Sequence, residues 1–98
     1  MKKQNIDFLV DEKLGSDKSR VVELFESAEI LDELNRRSKI EDWFHFERKS
    51  YDGVYLVKSG KDFICYYQER GRVLTTKRFQ NLSDAASYFF RAEGYIDQ

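Results

Sequence analysis

The stretch Phe63-Ile64-Cys65-Tyr66-Tyr67-Gln68-Glu69-Arg70-Gly71-Arg72-Val73-Leu74-Thr75-Thr76-Lys77-Arg78-Phe79 decides the fold class. β-Branched and aromatic residues fill both halves, and Arg70-Gly71 hinges them, which predicts two strands joined by a tight turn. Asn81-Leu82-Ser83-Asp84 follows at once and supplies a helix cap, so a helix succeeds the hairpin directly. Strands followed by a separate helix make an α+β class.

Working toward the N-terminus, Ser59-Gly60-Lys61 turns the chain back into Val54 to Lys58, and Tyr51-Asp52-Gly53 turns it again into a strand from about Trp43 to Lys49. The expected sheet is a four-stranded antiparallel meander. Gly15-Ser16-Asp17 offers a stop and a cap for a long N-terminal helix from about Asp17 to Arg37, with Val21, Leu24, Phe25, Ala28, Leu31 and Leu34 as its apolar stripe. Before it, Ile6-Asp7-Phe8-Leu9-Val10 reads as either a short strand or a helical turn. At the other end, Ala85, Tyr88, Phe89 and Ala92 form the inner side of a C-terminal helix packed on one sheet face. Gly94 ends that helix, with Tyr95 and Ile96 placed to fold back on its last turn.

Alternation along the third strand puts Ile64 and Tyr66 on one face and Phe63, Cys65 and Tyr67 on the other. Both sets are apolar, so the pattern leaves the buried side open. If helices cover one face only, several of Trp43, Tyr55, Tyr66 and Tyr67 remain outside as an aromatic surface, a composition favoured at the centres of interfaces. Trp43, Tyr55 and Tyr67 are the aromatic candidates for partner binding.

Ninety-eight residues make a single domain spanning residues 1–98 with one modest core, burying roughly 60 to 65% of the surface the unfolded chain exposes. Charged residues at 36% and aromatics at 15% exclude both disorder and a membrane protein. The net charge of −1 hides an asymmetry: residues 1 to 42 carry eight Lys and Arg against eleven Asp and Glu, and residues 43 to 98 carry nine against seven. Met1-Lys2-Lys3 begins like an export signal, but Asp7, Asp11 and Glu12 interrupt any apolar run behind it. The lone cysteine, Cys65, has no internal disulfide mate. A reducing, cytoplasmic compartment is expected, with no membrane involvement.

On the predicted first helix, a 100° advance per residue gathers Glu26, Glu29 and Glu33 opposite the apolar stripe. Glu26 is followed four residues later by Ile30, and Glu29 by Glu33, so only Glu33 with Arg37 gains helical compensation. These three glutamates are candidates for docking a basic protein, where charge raises the association rate and selects partners.

No catalytic set accompanies them. His45, the one histidine, shares a predicted strand face with Trp43 and Glu47, which acid–base chemistry can use, but a lone histidine among strand aromatics is more often packed. Cys65 lies in an apolar strand, where a thiol is buried rather than activated. No phosphate loop, metal-ligand spacing or nucleophile triad is present, so neither a cofactor nor a metal nor an enzymatic activity is expected.

Two resemblances bear on function. The helix–sheet–helix order resembles the double-stranded RNA-binding domain, but the second helix of that family opens with lysines and this one opens Ser83-Asp84-Ala85-Ala86. Arg70, Arg72, Lys77 and Arg78 give the last hairpin a basic-aromatic character beside Tyr66 and Tyr67. A small nucleic-acid-binding domain is therefore the alternative function, opposed by a pI near 5.8. The run Trp43, Tyr51-Asp52-Gly53, Tyr67-Gln68-Glu69-Arg70-Gly71, then Phe79 with Leu82, Asp84 and Ala85, together with the acidic helix, resembles the small α+β immunity proteins of bacterial polymorphic-toxin and contact-dependent growth-inhibition systems. That resemblance implies a cytoplasmic antitoxin that binds the toxic C-terminal domain of a larger effector, often a nuclease, and blocks its active site or substrate channel by protein–protein interaction.

Overall fold

Hairpin chemistry at Arg70-Gly71 is realised as a turn with positive φ at both positions, 50° and 79°, the geometry whose twist matches two antiparallel strands. The structure, a computed structural model, describes residues 3–97. Its elements are α1 (Asn5–Leu14), a 3₁₀ helix (Lys18–Leu24), α2 (Glu29–Arg36), β1 (Phe44–His45), β2 (Gly53–Ser59), β3 (Asp62–Glu69), β4 (Arg72–Phe79) and α3 (Leu82–Ala92). The strands lie in the order β1-β2-β3-β4, so the class is α+β. The stretch left open between strand and helical turn near the N-terminus is the helix α1.

The sheet is mixed rather than an antiparallel meander. β2, β3 and β4 pair antiparallel, whereas β1 has shrunk to two residues and runs parallel to β2, Phe44 against Val54 and His45 against Tyr55. The segment expected to extend β1 to Lys49 instead lies over the sheet. Its carbonyls at Lys49 and Tyr51 accept hydrogen bonds from the Tyr55 hydroxyl, at 3.3 and 2.7 Å, and from the Gln68 amide, at 2.8 and 3.0 Å. Those side-chain donors replace the ladder bonds that a hairpin would have made.

The long helix expected over residues 17–37 is also not present. The Asp17 carboxylate accepts from the Ser19 amide and hydroxyl and opens a 3₁₀ helix, and the chain breaks after Leu24 and restarts beyond Ser27, whose hydroxyl accepts from the Glu29 amide at 3.4 Å. Serine and aspartate offer the backbone these local alternatives to a continuous helix. Apolar spacing survives the break, since Val21, Phe25, Leu31 and Leu34 are all buried, and for that reason the period alone read as one helix.

Phe25 then reaches Phe46 and Phe90, with ring centroids 6.0 and 5.4 Å apart, and Phe44 meets Phe89, Phe90 and Tyr95 edge-on or tilted. This single cluster joins Ile6 of α1 to Phe90 of α3 across Val54, Leu56, Phe63 and Cys65 of the sheet. The opposite sheet face is buried as well: Tyr55, Val57, Ile64 and Tyr66 form a second cluster, with Tyr55 and Tyr66 stacked at 4.8 Å and Arg48 over the Tyr66 ring. Asn81 caps α3 by accepting from the Asp84 amide at 2.8 Å. Beyond Gly94 the Tyr95 amide folds back onto the Phe90 carbonyl, and the Tyr95 hydroxyl donates to Asp7 of α1 at 2.6 Å.

Candidate functional site

Where the sheet splays from the end of α3, an apolar groove of about 350 Å³ opens. Val54, Cys65 and Phe89 line it from the core, while Trp43, Tyr67 and Tyr88 supply aromatic surface. Each side chain has a local cause. Trp43 sits immediately before β1, where its carbonyl accepts from the Val54 amide at 2.9 Å and its ring is left 40% exposed. Tyr67 points to the helix-covered face because it alternates in phase with Phe63 and Cys65. The Trp43 and Tyr67 rings lie 5.8 Å apart at 44°, and the indole nitrogen donates to Glu93 Oε1 at 2.9 Å.

Carboxylates gather at this end. Tyr67 titrates above its ordinary value, first through desolvation and then because Glu69, Asp52 and Glu93 disfavour a phenolate beside them. None of the ion pairs among the described residues involves these three acids. Asp52 is oriented by the Arg70 amide, which donates to it at 2.8 Å. At the groove floor, burial pushes the Cys65 thiol up to about 12, and its sulfur lies 3.5 Å from the Ala85 carbonyl.

Of the aromatics marked in the sequence, the structure brings Trp43 and Tyr67 together and separates Tyr55. Tyr55 is fully buried on the other sheet face, under residues 46–52, and so offers no surface to a partner; Tyr66 is buried beside it. The second face is covered by the chain's own β1–β2 connection, which alternation along the strands could not reveal.

The acidic stripe is rearranged. Glu29 and Glu33 stand one turn apart on α2, but Glu26 lies in the bend before it, off the helix. Cations flank the pair: Arg48 and Lys58 line the same shallow depression as Glu29, and Lys13, Arg36 and Arg37 line another with Glu33. Of the hairpin cations, Arg78 is held by Asp62 at 3.2 Å and Lys77 lies 5.6 Å over the Tyr88 ring, while Arg72 is exposed along the open edge of β4 with Val73 and Leu74.

His45, also raised by the sequence, is 1% exposed, and neither ring nitrogen has a hydrogen-bond partner. Its rings of contact are Tyr55 at 4.9 Å and Tyr51 at 5.5 Å. Burial lowers its pKa and outweighs the opposing pull of the Asp52 backbone and the Asp42 charge, neither of which makes a hydrogen bond to the ring. A neutral imidazole packed in this way is closed off from any substrate. Among the described residues no group of His, Cys, Asp and Glu is arranged to hold a metal ion, and no helix is long and apolar enough to cross a membrane.

No protein-family model, characterised protein or solved structure matches this chain. Sequence reasoning missed Glu93, Tyr88, Glu69 and Asp52 as members. Glu93 alone carried a signal, an acid in the last turn of a predicted helix, where the negative end of the helix dipole favours a cation instead.

Proposed function

We propose that this chain is an immunity protein that neutralises a cognate toxin domain by binding it and occluding its active site or substrate channel. The observation that carries this reading is the half-exposed Trp43 at the groove mouth, braced by Glu93 and faced by Tyr67. A tryptophan held in a fixed pose beside a second aromatic is the chemistry of a binding hot spot, since its large apolar area is presented with little rotamer entropy left to lose. Asp52, Glu69 and Glu93, none of them in an ion pair among the described residues, suit a basic surface such as the substrate cleft of a nuclease, and they would act mainly on the rate of encounter. Glu29 and Glu33 of α2, flanked by cations of the same chain, are a weaker docking surface than this groove.

The test is co-expression with a toxin domain identified by capture on this chain, scored as colony survival. The wild-type chain restores growth and co-purifies with the toxin. Trp43→Ala with Tyr67→Ala loses affinity by about 2 kcal/mol or more, roughly thirtyfold, while thermal unfolding shows the fold intact. Glu29→Lys with Glu33→Lys keeps protection. Failure of the wild-type chain to protect, with both proteins folded and expressed, would overturn the proposal.

A further inference from the structure

We propose that the groove is a socket for one arginine or lysine side chain of the partner, its aliphatic stem against Cys65 and Phe89 and its charge between Trp43, Tyr67 and Glu93. This assignment rests on the reading of the chain as a toxin-binding protein and names what the partner must insert. Three independent features converge on a cation. The walls are aromatic faces, which attract a positive charge through the ring quadrupole, and tryptophan does so best. Glu93 stands at the C-terminal cap of α3, where the backbone carbonyls add their own negative potential, so this corner of the groove attracts a cation. Its bond from the indole uses one carboxylate oxygen and leaves acceptor capacity toward the groove. The third feature is the chain's own Lys77, which lies over Tyr88 at 5.6 Å and shows how an ammonium settles on this aromatic wall.

Lys77 also fixes the polarity of the occupant. It repels a second cation from the Tyr88 end, so the incoming charge is directed to the Trp43 end, where Glu93 lines the groove beside the indole. Between the two ends the floor is apolar, which matches the methylene stem of a long basic side chain. A neutral apolar side chain would fill the floor but leave the carboxylates unanswered. An acidic one would be repelled by them.

Trp43 is the sole tryptophan, so its fluorescence reports this site alone. The full chain is titrated with N-acetyl-arginine methylamide, with its neutral citrulline counterpart, and with the norleucine counterpart. A saturable change is expected for the arginine compound in the millimolar range, with citrulline binding about tenfold more weakly, the factor that a cation–π contact plus one carboxylate supplies. Glu93→Gln keeps the tryptophan and an amide oxygen to accept the indole bond at an exposed position, so the fold is retained, and it weakens the arginine compound about fivefold without changing norleucine. Equal binding of arginine and citrulline, a stronger response to norleucine, or no saturable response to any probe overturns the assignment. If arginine fails while Trp43→Ala still loses toxin protection, the cation socket falls and the toxin-binding reading stands. If arginine binds while groove substitutions leave protection intact, the socket stands and that reading falls.

Discussion

Replacing Gly53 by alanine is the most severe of the glycine-to-alanine changes in this fold. Gly53 has φ +145°, a region that L-residues rarely adopt, and it opens β2 where the chain re-enters beside β1. A Cβ there meets the Trp43 carbonyl oxygen well inside van der Waals contact and lies 2.9 Å from His45 Cδ2 and 3.2 Å from His45 Nε2. The first obstacle is backbone, so no rotamer change relieves it. Backbone strain contributes about 1–3 kcal/mol. Moving the carbonyl also breaks the bond it accepts from the Val54 amide, worth about 1 kcal/mol. A loss near 3 kcal/mol lowers the melting temperature by about 12–24 °C for a domain of this size, followed by circular dichroism. Gly71→Ala is the control, because its φ of 79° imposes a similar backbone penalty while its Cβ enters open space. Gly71→Ala should cost about 1–2 kcal/mol. Because the displaced carbonyl belongs to Trp43, Gly53→Ala should also shift the Trp43 fluorescence, which Gly71→Ala leaves alone. Equal destabilisation by the two substitutions, or an unmoved Trp43 emission, would show that the contact between β1 and β2 is not as tight as described.

Two further outcomes follow from buried groups. His45 is held neutral by burial, with its folded pKa below the ordinary 6.5, so stability is fully present above that value and falls as the unfolded chain takes up a proton that the folded one refuses. As pH falls below about 6.5 the urea midpoint should decline, with about 1.4 kcal/mol per pH unit as the ceiling for one proton, and His45→Phe should flatten the decline; an unchanged slope in that variant would mean that other groups carry the pH dependence. Cys65, with its thiol pushed up to about 12 and almost no exposure, should react with an aromatic disulfide reagent at least about 100-fold more slowly in the native protein than after unfolding in urea. Cys65→Ser should cost about 1–3 kcal/mol of stability, toward the low end because the hydroxyl inherits the Ala85 carbonyl as acceptor. Rapid native labelling would place the groove floor open to solvent.

What the sequence made legible was local. The hairpin at Arg70-Gly71, the Asn81 cap and the fold-back after Gly94 each depend on a few adjacent residues whose chemistry leaves one good conformation. The helix over residues 17–37 failed because its apolar period was satisfied by two shorter elements, and the deciding interactions, Phe25 wedged between Phe46 and Phe90, join distant parts of the chain. The same holds for Tyr55. Alternation gave two apolar faces to β3, and only the Lys49 and Tyr51 carbonyls, supplied by a loop that reads as a strand, explain how the second face is sealed. That sealing has a functional consequence. With both central strands buried on either side, the aromatic surface left exposed beside the sheet shrinks to the place where Trp43 precedes it, and the acid that braces it comes from fifty residues away. Trp43 and Tyr67 were visible as aromatic candidates because strand position and residue type mark them; Glu93 was visible only as an acid at the wrong end of a helix. The misfit at that helix end and the bond it makes to Trp43 are one arrangement, and it is the arrangement that a basic side chain from a partner would complete.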